Sequence, residues 1–295
     1  MSQIPLDTNT QPEQPQGNPL QKYFRQPKLY IALPSHGRFY PPGALESTEN
    51  GEYPVYAMTA KDELAFKTPD ALLNGQATVD VIQSCMPNIK DAWNMPSVDI
   101  DACLIAIRMA TYGDEMTITT KIPGTGEERD YVVDLKTLLD GIVSADLSWS
   151  VYHRDMKIQL RPLTYKEFTK NALKTFEEQR IVTIVNNDSM PDEEKLARFA
   201  TSFQKLTGIT VSMVSQGVQS ITVDNVTVDQ PEYIKEFIDN ADKEFFTTIV
   251  DHLDNNKKQA SIKPMLVKSE PEDIEAGAPE QFEVPITFDA SNFFG

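Results

Sequence analysis

SVDIDACLIAIRMATYG, residues 97–113, decides how the rest of the chain is read. Ser97 stands where a helix N-cap belongs, Asp99 and Asp101 fall in the first turn where acidic groups complement the helix dipole, and Gly113 stops the run. Between them Ile100, Cys103, Leu104, Ile107 and Ala110 repeat at helical spacing, so the segment is expected to be the core helix of the N-terminal part. Upstream, residues 77–86 place Val81, Ile82, Cys85 and Met86 on one helical face before Pro87 ends the run. Thr68-Pro69-Asp70 opens another short helix that Asn74-Gly75 stops, and Thr59 can cap one beginning near Ala60. Two short strands, 28–33 and 53–58, enclose a loop from Pro34 to Pro42 that carries Ser35, His36, Arg38, Phe39 and Tyr40 on a proline-stiffened frame. Residues 1–20 are rich in Gln, Pro, Asn and Thr and are expected to form a disordered arm.

Downstream of Gly113 the period changes. Met116, Ile118 and Ile122 alternate with polar residues, as do Arg129, Tyr131 and Val133 across Pro123-Gly124-Thr125-Gly126, which predicts a hairpin. Leu147, Trp149 and Val151, then Met156, Ile158 and Leu160, predict a second antiparallel pair with one wet face. Thr164 and Glu167 have capping-box spacing and open a helix expected to run to about Asn186. The next helix begins after Ser189-Pro191, carries Leu196, Phe199, Phe203 and Leu206, and should stop at Gly208, so the two pack as an antiparallel helical hairpin joined around Asn187-Asp188. Residues 209–217 are left as a short helix, and 220–223 with 226–228 read as a tight hairpin around Asp224-Asn225. Helices at 231–240 and 242–255 follow, then two short strands at 262–268 and 282–288 around an acidic loop. The expected class is α+β, mainly helical with small antiparallel β-hairpins. The expected organisation is a 1–20 arm, a 21–161 N-terminal α+β domain, a 162–258 helical domain, and a 259–295 strand pair with an aromatic tail.

Chemistry is sparse. The net charge of −17 repels phosphate backbones and argues against a nucleic-acid partner, while keeping a protein soluble before it assembles. No apolar run reaches the roughly 20 residues that span a bilayer, and the start lacks the features of a secretion signal, so no membrane partner is expected. Cys85 and Cys103 sit inside apolar helical patterns and read as small buried hydrophobes. His153-Arg154-Asp155 imitates the kinase catalytic loop but has Leu160 where that loop needs its metal-binding Asn, so it reads as a polar hairpin tip. His36, His153 and His252 have no partner at metal-ligand spacing, and no phosphate-binding glycine loop or activated nucleophile is present. No catalytic, cofactor-binding, metal or small-molecule site is therefore expected. The candidate partner-binding residues are Ser35, His36, Arg38, Phe39 and Tyr40 in the loop, where Phe39 and Tyr40 either pack inward or meet a partner, and Phe293 and Phe294 in the tail.

Four blocks carry a family resemblance: LPSHGRFYPP at 33–42, VYAMTAKDELAFKTPDALLNGQATVDVIQSCMPNI at 55–89, DACLIAIRMATYG at 101–113 and FEVPITFDASNFFG at 282–295. In that order they resemble the baseplate hub proteins of contractile-tailed, T-even-like bacteriophages. The resemblance implies a structural or assembly protein of the virion tail baseplate, assembled in the host cytoplasm, that contacts other tail proteins and has no enzymatic activity. The competing expectation is a tail-associated enzyme, such as a peptidoglycan hydrolase or a maturation protease, needing a paired carboxylate or a nucleophile with its base in a cleft.

Overall fold

A computed structural model of the chain describes residue 20 and residues 23–66, 75–185 and 191–286. The N-terminal arm, the helix expected from Thr68, the link around Asn187-Asp188 and the tail with Phe293 and Phe294 lie outside the described residues. The fold is α+β, with helices predominating over small antiparallel sheets.

Strands β1 (Pro27–Ala32) and β2 (Glu52–Tyr56) pair antiparallel with Ile31 opposite Tyr53. Helix α1 (Ala60–Phe66) opens with a reciprocal cap: the Thr59 N–H donates to Asp62 Oδ2 at 2.8 Å, and the Asp62 N–H donates back to Thr59 Oγ1 at 3.2 Å. Helix α2 (Gln76–Cys85) packs against α3 (Ile100–Tyr112), which ends at Gly113 with φ 100°. Ala102, Cys103, Leu104, Ile105, Ala106 and Ile107 are all buried, so α3 is enclosed on every side, as a central core helix must be. Both cysteines are free and buried. Strands β3 (Glu115–Lys121) and β4 (Glu128–Asp134) form the expected hairpin, with Met116 opposite Val133. Helix α4 (Leu135–Val143), which was not among the expected elements, is capped by Asp134 and buries Leu135, Leu139 and Ile142.

A second hydrophobic cluster gathers around one four-stranded antiparallel sheet in the order β5 (Ser150–His153), β6 (Met156–Leu160), β7 (Val218–Val223), β8 (Val226–Val228). Asp224 and Asn225 both take positive φ, as the tight turn between β7 and β8 requires. The expected division at 161/162 thus falls between β6 and β7, which are hydrogen-bonded neighbours. Everything between those strands is the helical hairpin: α5 (Tyr165–Val185), opened by the Thr164–Glu167 capping box, and α6 (Asp192–Gly217). Gly208 does not end α6, contrary to its expected role as a stop. The helix runs through it because Val211 and Val214 beyond it pack on the second cluster, which offsets the roughly 1 kcal/mol a glycine costs inside a helix. Helices α7 (Pro231–Asn240) and α8 (Lys243–Ala260) cover the sheet.

The chain then returns to its first cluster. Strands β9 (Met265–Lys268) and β10 (Gln281–Val284) pair antiparallel, and Phe282, Val284 and Ile286 are buried against the N-terminal core, with the Phe282 ring edge-on to Tyr131. The segment between them, expected as an acidic loop, contains the short helix α9 (Pro271–Glu275), whose Asp273 accepts both Arg129 guanidinium bonds at 2.5 and 3.0 Å.

Candidate interaction surface

The loop whose Phe39 and Tyr40 were expected either to pack inward or to meet a partner ties the two clusters together. Ser35 is buried; its N–H donates to Asp99 Oδ1 at 2.7 Å and its hydroxyl to Oδ2 at 2.6 Å. Tyr40 donates its hydroxyl to the same carboxylate at 3.0 Å. Phe39, held at φ 70°, sets its ring edge-on to Trp149 of the second cluster at 5.2 Å. Asp99 is 0% exposed, and burial pushes its carboxyl up to about 6 even though the bonds from Ser35 and Tyr40 pull the other way. Burial, with Asp99 beside it, likewise pushes the Tyr40 phenol well up. The sequence placed Asp99 in the first turn of a helix under a Ser97 cap, where it would complement the dipole. Ser97 makes no such cap, because residues 97–99 form a 3-10 turn, and Asp99 faces inward to receive the loop. Of the loop candidates, His36 and Arg38 remain exposed, with the Arg38 guanidinium lying over the Phe39 ring at 5.6 Å.

A cleft of about 450 Å³ opens beside this junction, between the start of α3, the base of the helical hairpin and α8. Its walls are mostly apolar, with Val98, Trp149, Phe168, Met213, Val250 and Leu253 prominent. Asp101 lines it too, and burial raises its carboxyl.

Polar groups occupy the seam of the hairpin above the cleft. Between the helices lie Asn171, whose amide donates to Gln216 Oε1 at 3.0 Å, and Glu178, which accepts from Lys205 at 3.0 Å and is held below the usual carboxylate range by it. Asn171 and Ser202 are buried there, and a cavity of about 430 Å³ separates the helices, lined by Glu178, Lys205, Gly208, Ile209 and Ser212 among others. Several large apolar side chains of the hairpin face solvent instead: Phe176 is 64% exposed, Leu196 71% and Phe203 61%, with Phe168, Leu173 and Phe199 also exposed. Phe199 and Phe203 stack on each other at 6.4 Å in solvent. On α6 the stripe continues as Leu196, Phe199, Phe203, Leu206, Thr210 and Met213, a three-four repeat that runs down into the cleft. Leu196, Phe199, Phe203 and Leu206 were expected to form one apolar face of a helix packed in an antiparallel hairpin, with Thr210 and Met213 outside it.

Far along the sheet, the hairpin tip read as polar does bring one histidine to two carboxylates. His153, Asp242 and Glu244 offer ligand atoms within 4.8 Å of one another. Arg154 already lies on both carboxylates, at 3.0 and 3.1 Å, and Asp242 also caps α8 by accepting from the Phe245 N–H. The cluster therefore fastens the β5–β6 turn to α8 with a resident cation.

Among known proteins, a family model described as T4 bacteriophage base plate protein matches residues 45–272. No curated protein matches the chain, and no solved structure does. The matched span takes in most of the first hydrophobic cluster, the buried residues of the second and the whole helical hairpin, and it includes the 55–89 and 101–113 blocks, while the 33–42 loop and the 282–295 end lie outside it. With over three-quarters of its length matched, this chain belongs to the T4 bacteriophage base plate protein family.

Proposed function

We propose that the chain is a component or assembly factor of the baseplate hub, that it acts by protein–protein contact, and that it has no catalytic step. The supporting observation is the outward apolar face of the α5–α6 hairpin. A helical hairpin that served only its own fold would turn Phe176, Leu196, Phe199 and Phe203 inward and its lysines and glutamates outward. Here Asn171, Ser202 and Glu178 occupy the seam, and Phe176, Leu196, Phe199 and Phe203 are exposed beside the surface lysines and glutamates, which is the arrangement of a surface awaiting a partner. The net charge of −17 keeps such a protein soluble until it docks. In this account the Asp99 junction serves docking indirectly, by fixing the loop and the two clusters around the cleft at the hairpin's base. Among the described residues, no helix is long and apolar enough to cross a membrane.

Quantitative mass spectrometry of gradient-purified phage particles, set beside tail intermediates from the infected lysate, tests this. A small fixed copy number in mature particles marks a built-in hub component. Presence in intermediates alone marks an assembly factor that departs. Absence from both overturns the proposal.

A further inference from the structure

We infer that the partner seated on the outer face of the α5–α6 hairpin is the same hairpin of a second copy, running antiparallel, so that the protein forms a two-fold dimer through a four-helix bundle. This rests on the docking reading above and adds the identity of the occupant.

The argument begins with charge. Residues 165–217 carry seven basic and seven acidic residues, so the hairpin is neutral and the whole −17 resides on the rest of the chain. Along this hairpin two copies meet without net repulsion, whereas the rest of each chain is net acidic. The neutral total is also divided along the hairpin. Its base, residues 165–176 and 208–217, has three basic and one acidic residue, a net of +2, with Lys166, Lys170 and Lys174 exposed. Its tip, residues 177–207, has four basic and six acidic residues, a net of −2. Parallel copies would set like charge against like; antiparallel copies set each tip on the other's base, twice over, as a two-fold interface requires.

Shape agrees with charge. The α6 stripe from Leu196 to Met213 is symmetric about the Phe203–Leu206 turn, so an antiparallel copy lays Phe203 near its own equivalent. Leu196 at one tip then falls at the other copy's base, where the apolar cleft of about 450 Å³ opens beside Phe168 and Met213. Two helices about 30 Å long, packed side by side, offer on the order of 600 Å² per copy, at the lower end of what stable interfaces bury. The polar seam suits the same arrangement, since the apolar core of the bundle is supplied between copies rather than within one.

Sedimentation equilibrium of the full chain, with three variants, tests this. The wild type is expected at twice the chain mass. Phe203→Glu is expected to sediment as a monomer with an unchanged circular dichroism spectrum. Reversing the base with Lys170→Glu and Lys174→Glu should weaken dimerisation by at least tenfold, and adding Glu177→Lys and Glu193→Lys at the tip should restore it, a rescue that loss of folding would not permit. A wild type that stays monomeric at 100 µM, a dimer that survives Phe203→Glu, or charge reversal without rescue each overturns the inference. Particle incorporation separates this failure from that of the docking reading. A monomeric wild type that still enters tails only with an intact stripe keeps the hairpin as the docking face and assigns it to a different tail protein.

Discussion

Helix α3 and the α5–α6 hairpin are both apolar in sequence, yet they use their hydrophobic residues in opposite ways. In α3, Ile105 and Ile107 are fully enclosed by strands and helices of the same cluster. In the hairpin, Phe199 and Phe203 face outward while Asn171, Ser202 and Glu178 fill the seam. The difference shows that amphipathic periodicity identifies a face to be covered without saying whether the cover is intramolecular. Only the polarity of the seam distinguishes a helix serving its own fold from one serving a partner.

The comparison breaks most visibly under truncation. Ile107→Ala should cost about 2–5 kcal/mol in urea unfolding, because the enclosed site cannot collapse around the cavity. Phe203→Ala, measured at high dilution, should change stability by less than about 0.5 kcal/mol, since its ring contributes little to the fold of a single copy. Equal losses at the two positions would erase the distinction.

The junction between the clusters sharpens it with pH. A buried carboxyl raised to about 6 from an ordinary 3.8 favours the folded state when protonated. That contribution is complete below about pH 4 and is lost as pH rises through 6, amounting to about 3 kcal/mol. Asp99→Asn should therefore gain stability relative to the wild type as pH rises from 4 to 7.5, whereas the same scan on a hairpin variant such as Phe203→Ala should run parallel to the wild type. A wild type and Asp99→Asn with parallel pH profiles would contradict the raised Asp99 carboxyl.

Smaller effects test the hairpin's own construction. Thr164→Ala should cost about 1 kcal/mol by removing the hydroxyl that receives the Glu167 N–H. Gly208→Ala should gain about 0.5–1 kcal/mol, because the added methyl meets open space in a continuous helix. A loss at Gly208 would mean that the helix does not run straight through it.

Local chemistry was legible from the residues alone. Thr59 with Asp62, Thr164 with Glu167, the Asp224-Asn225 turn and the alternation around Met116 and Val133 all act within a few residues, so their spacing specifies their geometry. Helix α4 had its signal in the sequence too, as the Asp134 cap and Leu135, Leu139 and Ile142 at helical spacing, but it lies wedged between two hairpins. What sequence could not disclose was non-local. The pairing of β6 with β7 spans the entire hairpin, and Asp99 resembles any first-turn carboxylate until Ser35 and Tyr40 close over it. Likewise, Leu196 to Leu206 show an apolar stripe, but its direction depends on which groups occupy the seam.

The most direct test of the outward face is complementation of a phage lacking this protein with the Phe199→Glu, Phe203→Glu double variant, alongside its thermal unfolding in isolation. The account predicts a chain that unfolds within a few degrees of the wild type yet fails to support tail assembly. Normal tails from the double variant would contradict it.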